Sequence, residues 1–223
     1  MSPAVSVLQL DTDFPRVPGD VGCPATYCGT VEVIRIPNAT VGSIVIDRPD
    51  LINITPFEKA LHKARGDLVV TSCGFLSTWQ EHLSARSQKP FISSALTALD
   101  ALSQHFAPQE LLILTFDANS LMRQHLGTHP DYLESVVGLP KQMELYQVIS
   151  QNRTALDVER VAAEMTGFIR SVQRTCHKHI LLECTNLPPY KAALRQAAGL
   201  PISDILTCIE ARQPGTIQPR FLD

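Results

Sequence analysis

This 223-residue sequence predicts an α/β protein of two pseudo-symmetric lobes, each a mostly parallel sheet flanked by helices. Three observations carry that expectation. Short runs rich in Val, Ile and Leu recur along the chain and are near-continuous rather than alternating, the pattern of strands covered on both faces. Helical segments lie between most of these runs, which argues for strand-helix-strand units with parallel pairing. A stretch around Cys73 also recurs, without a gap, around Cys184.

Residues 5–10 read as the first strand. The segment from Met1 to Leu10 has neither a basic start nor a long apolar core, so it is not expected to be a signal peptide. Further strands are expected at 43–46, 68–72, 91–93, 111–115, 135–137 and 180–183. Thr55-Pro56-Phe57-Glu58 has the form of a capping box with Pro at the first helical position, and Gly66 is expected to close that helix. Ser77-Thr78-Trp79-Gln80 is a second cap candidate. Asp117 is expected to start a helix that Gly127 stops. Residues 155–175 space Leu, Val, Ala, Met and Ile as the longest helix, and Pro188-Pro189 open another that ends at Gly199.

The repeat is the more informative feature. Leu76 and Leu187 lie three residues beyond Cys73 and Cys184, Leu83 and Leu194 ten beyond, and Pro90 and Pro201 seventeen beyond. Phe91-Ile92-Ser93 then corresponds to Ile202-Ser203. Each Cys ends an apolar strand, the third of its own half, and precedes a helix. A duplicated lobe accounts for these matches, with a whole lobe as the repeating unit. The first lobe is expected to comprise 1–97 with 206–223, and the second 98–205.

Composition narrows the function. Hydrophobic residues make up 44% and charged residues 18%, which excludes a disordered chain. Lys and Arg number 19 against 22 Asp and Glu, a net charge of −3, so the basic footprint of a nucleic-acid binder is missing. No apolar run approaches the ~18 residues of a membrane span. Six Cys are too sparse for a disulfide scaffold, and the expected location is cytoplasmic. No dinucleotide fingerprint, phosphate loop, nucleophile elbow or zincin helix occurs, and no cofactor is expected. Cys176, His177 and His179 lie close in sequence but lack a fourth ligand, so no metal site is expected.

The two matched thiols carry the chemistry. Ligands of open α/β sheets bind at the carboxyl ends of strands, where both Cys lie. A thiol at a strand-to-helix turn is expected to have its pKa lowered toward neutrality by the exposed N–H groups. Two facing lobes would set the thiols on opposite sides of one cleft. Inverting a carbon acid needs a base on one face and an acid on the other, and two such thiols meet that need. Backbone N–H groups after each Cys would stabilise the developing negative charge.

The segments Thr71-Ser72-Cys73-Gly74-Phe75 and Glu183-Cys184-Thr185-Asn186-Leu187-Pro188-Pro189-Tyr190 resemble the aspartate/glutamate racemase superfamily. So do Leu10-Asp11-Thr12-Asp13-Phe14-Pro15-Arg16 and the loop from Gly19 to Tyr27. The resemblance covers nearly the whole chain. It implies an active site between two lobes and cofactor-independent proton transfer by Cys73 and Cys184. It further implies that Gly74, Phe75, Thr185 and Asn186 hold a substrate carboxylate, with Asp11, Thr26 and Thr115 also at the site, and that the chain can form a homodimer. The chain departs from glutamate racemases where Gly74-Phe75 replaces Asn-Thr, where Asn186 replaces His, and where Asp11-Thr12-Asp13 replaces Asp-Ser-Gly.

A dicarboxylate substrate calls for an Arg in the cleft. Arg48 is the candidate, and the alternative is a surface Arg paired with Asp47 or Asp50. Asn119 either faces the cleft or sits in the first turn of its helix. The leading expectation is a cofactor-independent racemase or epimerase acting on an amino acid or related small carbon acid, with a small-molecule carboxylate or amino-acid-like substrate and no nucleic-acid or membrane partner. A single-thiol decarboxylase or cis-trans isomerase, and a non-catalytic small-molecule binder, remain the alternatives.

Overall fold

The computed structural model of this chain describes residues 4–223. Its strands form two four-stranded parallel sheets. β1 (Val5–Gln9), β2 (Val31–Arg35), β3 (Leu68–Thr71) and β4 (Phe91–Ile92) make the first, in the order β2-β1-β3-β4. β5 (Leu111–Thr115), β6 (Val136–Gly138), β7 (His179–Leu182) and β8 (Ile202–Asp204) make the second, in the order β6-β5-β7-β8. The helices are α1 (Val41–Ile44), α2 (Thr55–Leu61), α3 (Gln80–Ser84), α4 (Leu99–Leu102), α5 (Glu144–Ser150), α6 (Val158–Val172), α7 (Lys191–Ala198) and α8 (Ile205–Arg212). This is the α/β architecture the sequence predicts. Met1, Ser2 and Pro3 lie outside the described residues, so the expected first strand is seen from Val5 onward.

The repeat is a repeat of structure. α3 and α7 begin at Gln80 and Lys191, each seven residues after its Cys, and β4 and β8 begin at Phe91 and Ile202, each eighteen after. The register matches as well. Leu8 pairs with Thr71 at the end of the β1–β3 ladder, and Leu114 with Leu182 at the end of β5–β7. The chain therefore leaves both third strands at one equivalent point, two residues before a Cys.

β5 and β7 of the second sheet are buried on both faces, and strand alternation divides them between two cores. Leu111, Ile113 and Leu181 join the core of the first sheet, together with Ile205, Leu206 and Ile209 of α8. Leu112, Leu114, Ile180 and Leu182 face the other way, onto Leu145 and Val148 of α5, Val161, Met165 and Ile169 of α6, and Leu194 of α7. One sheet thus contributes to both hydrophobic cores, which fixes one lobe against the other.

Several local expectations are corrected. Residues 43–46 are not a strand: Ser43 and Ile44 belong to α1, where the Ser43 hydroxyl donates to the carbonyls of Thr40 and Asn38. The second strand is Val31–Arg35, an edge strand with half-exposed residues. Its Glu32 and Arg35 interrupt the apolar run, and edge strands do not need two apolar faces. Asp117 starts no α-helix; its carboxylate accepts from the N–H of Asn119 at 3.0 Å, which draws the backbone into a turn. Only a single 3-10 turn, Arg123–Leu126, precedes Gly127. Thr55 lies inside α2 rather than capping it, and Asn53 Oδ1 accepts its N–H instead. α2 stops at Leu61, and Gly66 lies against β1, where its N–H donates to Ser6 Oγ at 2.8 Å.

Candidate active site

Cys73 and Cys184, delivered by β3 and β7, line a single narrow cleft. Arg16, Phe75, Phe116 and Glu183 line it with them. The backbone N–H of Phe75 favours the ionised form of Cys73, and that of Asn186 the ionised form of Cys184.

Burial governs their ionisation. It pushes the Cys73 thiol up to about 12; the negative charge of Glu183 adds to the shift, while the Phe75 N–H and the Arg16 charge oppose it. Cys184 is raised well above its ordinary value by burial and by Glu183, with the Asn186 N–H in opposition and Cys73 and Asp20 adding further. The expected lowering toward neutrality is therefore corrected. One or two N–H groups do not offset removal of a thiolate from water in an apolar cleft. Only a short 3-10 segment, Gly74–Trp79, separates Cys73 from α3, and the 3-10 helix after Cys184 begins four residues later at Pro188.

The cation of the cleft is Arg16. Its side chain is 9% exposed, and it pairs at 3.3 Å with Asp20, itself 2% exposed. Its Nη2 donates to Thr12 Oγ1 at 3.1 Å, and its guanidinium lies 4.4 Å from the centroid of Phe14. Its Nε is buried without a partner. Asp20 also accepts from Asn186 Nδ2 at 2.6 Å. The Asn186 amide N–H is thereby occupied, and its Oδ1 lies 3.9 Å from Cys184 Sγ as an acceptor for that thiol.

Glu183 is the second charged group. It is buried, and its Oε2 accepts from Thr115 Oγ1 at 2.6 Å. Its Oε1 has no partner. Burial raises the carboxyl to about 7, against the lowering effect of the Thr115 hydroxyl. The carboxylate lies against Gly74, where an added Cβ would collide with Oε1 and sit 2.7 Å from Cδ. Glycine follows Cys73 because the side chain of Glu183 occupies the space a Cβ needs.

The other expected site residues divide. Gly74, Phe75, Thr185 and Asn186 line the cleft. The Thr185 hydroxyl donates to the carbonyl of Ser72 at 2.6 Å, joining the second Cys loop to the first. Thr115 reaches the site through Glu183. Thr26 is buried away from the thiols, where its hydroxyl donates to Asp20 O and accepts from the Gly19 N–H, shaping the loop that carries Asp20. Three residues fall elsewhere. Asp11 pairs with Arg35 and accepts from the Asn38 N–H on an exposed edge. Arg48 is exposed and pairs with Asp50 at 2.8 Å, the surface alternative. Asn119 lies in the exposed turn at Asp117. Each satisfies a nearby charge or turn at the surface, so none is available to the cleft. Of the histidine-cysteine cluster, Cys176 is exposed, His177 Nδ1 accepts from the Arg174 N–H, and His179 bonds Ser203.

Sequence reasoning did not single out Arg16, Asp20 and Glu183 as candidate site residues. A signal for Glu183 was present: an acid closes the apolar run Ile180-Leu181-Leu182. Arg16 had no such mark, because only the packed loop shows that it is buried.

No family model matches the chain. Among curated proteins it is 29% identical over 226 residues to dimethylsulfoniopropionate lyase 7 of Emiliania huxleyi strain CCMP1516, covering 92% of this chain and 64% of that one. It is 27% identical over 238 residues to lyase 5 of the same strain, covering 99% and 47%. A dimethylsulfoniopropionate lyase of Durusdinium sp. clade D is 27% identical over 239 residues, covering 98% and 77%. The chain thus spans about half to two thirds of the Emiliania relatives' length. Among solved structures, an allantoin racemase from Klebsiella pneumoniae superposes with a TM-score of 0.55 at 16% identity, covering 94% of this chain and 87% of that one. A glutamate racemase from Bacillus anthracis gives 0.51 at 12%, covering 97% and 84%. The fold is shared with these solved racemases. The expected racemase or epimerase activity is corrected: the curated relatives are named lyases, and racemases are neighbours in fold alone. An enzyme is supported, and an isomerase is not.

Proposed function

We propose that this chain is a lyase that eliminates a neutral sulfide from a small β-sulfonium carboxylate of the dimethylsulfoniopropionate type. The observation that carries the reading is the pair of cleft thiols beside a buried Arg, in a chain whose curated relatives bear that lyase name. In the proposed reaction one thiolate removes the proton on the carbon next to the substrate carboxylate. The C–H electron pair becomes the carbon-carbon double bond. The carbon-sulfur pair departs with sulfur, which leaves as neutral dimethyl sulfide, and acrylate remains.

This chemistry asks less of the second thiol than racemisation does. The leaving group departs uncharged and needs no proton, so one base suffices. Arg16, with its unpartnered Nε, suits the substrate carboxylate, whose neutralisation makes the neighbouring C–H more acidic. The apolar walls supplied by Phe75 and Phe116 suit the sulfonium methyl groups and keep water from the base. The positive charge of Arg16 opposes the rise of the Cys73 thiol, which favours Cys73 as the base.

The test is release of dimethyl sulfide, measured in headspace gas, together with acrylate, when the protein is given dimethylsulfoniopropionate. Wild-type protein is expected to release both in equal amounts. Cys73→Ser is expected to fall by roughly 10²–10⁴-fold, the typical worth of a positioned base, and Cys184→Ser by less. No release by the wild-type protein, or full activity in both variants, overturns the reading.

A further inference from the structure

The loop after β1 buries a carboxylate, Asp20, on which three donors converge. Arg16 Nη1 donates at 3.3 Å, the Gly22 N–H at 2.7 Å, and Asn186 Nδ2 at 2.6 Å. Thr26 anchors the loop: its hydroxyl donates to the Asp20 carbonyl at 2.7 Å and accepts from the Gly19 N–H at 2.9 Å. Asn186 comes from the other sheet, two residues after the cysteine that ends β7. The shortest of the three bonds therefore joins the loop of the first sheet to the second Cys loop.

An amide side chain has a donor end and an acceptor end, and fixing one fixes the other. Asp20 takes bonds from a guanidinium and a peptide N–H and gives none, so it admits only the NH2 end of Asn186. The amide oxygen is thereby turned toward the second thiol. Asn186 Oδ1 accepts from Cys184 Sγ at 3.9 Å, within the reach of a sulfur hydrogen bond. An S–H can donate to that oxygen, whereas a thiolate would meet the negative end of the amide dipole. The equivalent position after Cys73 is Phe75, whose side chain has no polar atom.

We propose that Asp20 is a positioning residue that, by fixing the Asn186 amide, keeps Cys184 a hydrogen-bonded thiol and leaves Cys73 as the single base of the site. The surroundings of the two sulfurs are unequal in the same sense. Arg16 and the Phe75 N–H favour the ionised form of Cys73. At Cys184 the Asn186 main-chain N–H favours the thiolate, but burial, Glu183, Cys73 and Asp20 all oppose it. A sulfur committed to Asn186 is not free to return a proton to the substrate carbon. The electron pair released at that carbon then has one outlet, the bond to the departing sulfide. The two matched cysteines of the repeat thus take different duties.

The S–H stretching band reads this arrangement directly. Donation weakens the S–H bond and lowers its frequency, and a thiolate has no band. Subtracting the infrared spectrum of Cys184→Ser from that of the wild-type protein, near neutral pH and without substrate, isolates the Cys184 band. A band below the frequency of an unbonded thiol is expected. Asp20→Asn keeps the volume but offers either a donor or an acceptor, so the Asn186 amide is no longer held one way. The Cys184 band, again isolated against Cys184→Ser in the same background, should move toward the unbonded frequency or split in two. Asn186→Leu removes the acceptor and should leave the unbonded frequency alone. Iodoacetamide alkylation of the Cys184 peptide in Asp20→Asn is expected to quicken by roughly three- to tenfold, the equivalent of one ordinary hydrogen bond. A purely structural Asp20 would leave the band of a folded variant where it is. A wild-type protein with no Cys184 band, a wild-type band at the unbonded frequency, or a bonded band unchanged in Asp20→Asn overturns the proposal. If Asp20→Asn does not fold, an unchanged band in Asn186→Leu does so. The inference rests on the lyase reading for what the Cys73 thiolate does, but the spectra need no substrate. Failure of dimethyl sulfide release is therefore distinct from failure of the band shift.

Discussion

At the scale of single residues, the site is built by close packing of unlike groups. Gly74 and Glu183 come from different lobes and share one small space, and neither is understood without the other. A methyl group at position 74 would meet both the side chain and the carbonyl oxygen of Glu183, each 2.7 Å or nearer. Gly74→Ala is therefore expected to destabilise the protein by about 1–3 kcal/mol, the usual range for overpacking a filled site. Urea unfolding checks this, and an unchanged midpoint would contradict the packing described. The Gly-Phe that replaces the racemase Asn-Thr pair is explained in the same way: the residue after Cys73 yields its volume to Glu183. Cys73 and Cys184 were legible as a pair because gapless spacing survives in one dimension. Arg16, Asp20 and Glu183 were not, because their roles depend on burial and on partners far along the chain.

At the scale of elements, the site depends on two strand ends being held in register with each other. β3 and β7 release their Cys at equivalent points, and Thr185 Oγ1 ties the second loop to the Ser72 carbonyl of the first. Replacing Thr185 by Val keeps the shape and removes the donor, leaving a buried carbonyl unsatisfied. A loss of about 1–3 kcal/mol in unfolding free energy is expected. A smaller loss would mean that the lobes are held chiefly by the core they share through Leu111, Ile113 and Leu181. Interior strands such as β5 were legible at this scale because double-sided burial demands continuous apolar sequence. β2 was not, since an edge strand tolerates Glu32 and Arg35, nor was the turn at Asp117, where a side-chain acceptor competed with the helix.

At the scale of the whole molecule, stability carries the mark of the buried site. The Glu183 carboxyl has a higher proton affinity in the folded chain, about 7, than its ordinary value of 4.5. Its contribution to stability is therefore complete below that ordinary value and is lost as pH rises through 7. His125 acts in the opposite sense: burial lowers it from 6.5 to about 4, so its contribution is lost as pH falls across that range. Glu183→Gln abolishes the alkaline loss. Relative to wild type, the variant is expected to gain up to about 3 kcal/mol between pH 5 and pH 8, as measured by denaturant unfolding. A difference that does not change with pH would show that Glu183 ionises as readily in the folded chain as in the unfolded one.

The sequence by itself determined the α/β class, the duplication and the two strand-end thiols, because hydrophobic pattern and gapless spacing are properties of chain order. Only the tertiary structure decided what surrounds those thiols. Burial, not local helix geometry, sets their proton affinity; the cleft cation is Arg16 rather than Arg48; and an acid from one lobe rests on a glycine of the other. Those features arise where distant segments exclude water together, and desolvation is a property of the assembled fold, not of any stretch of chain.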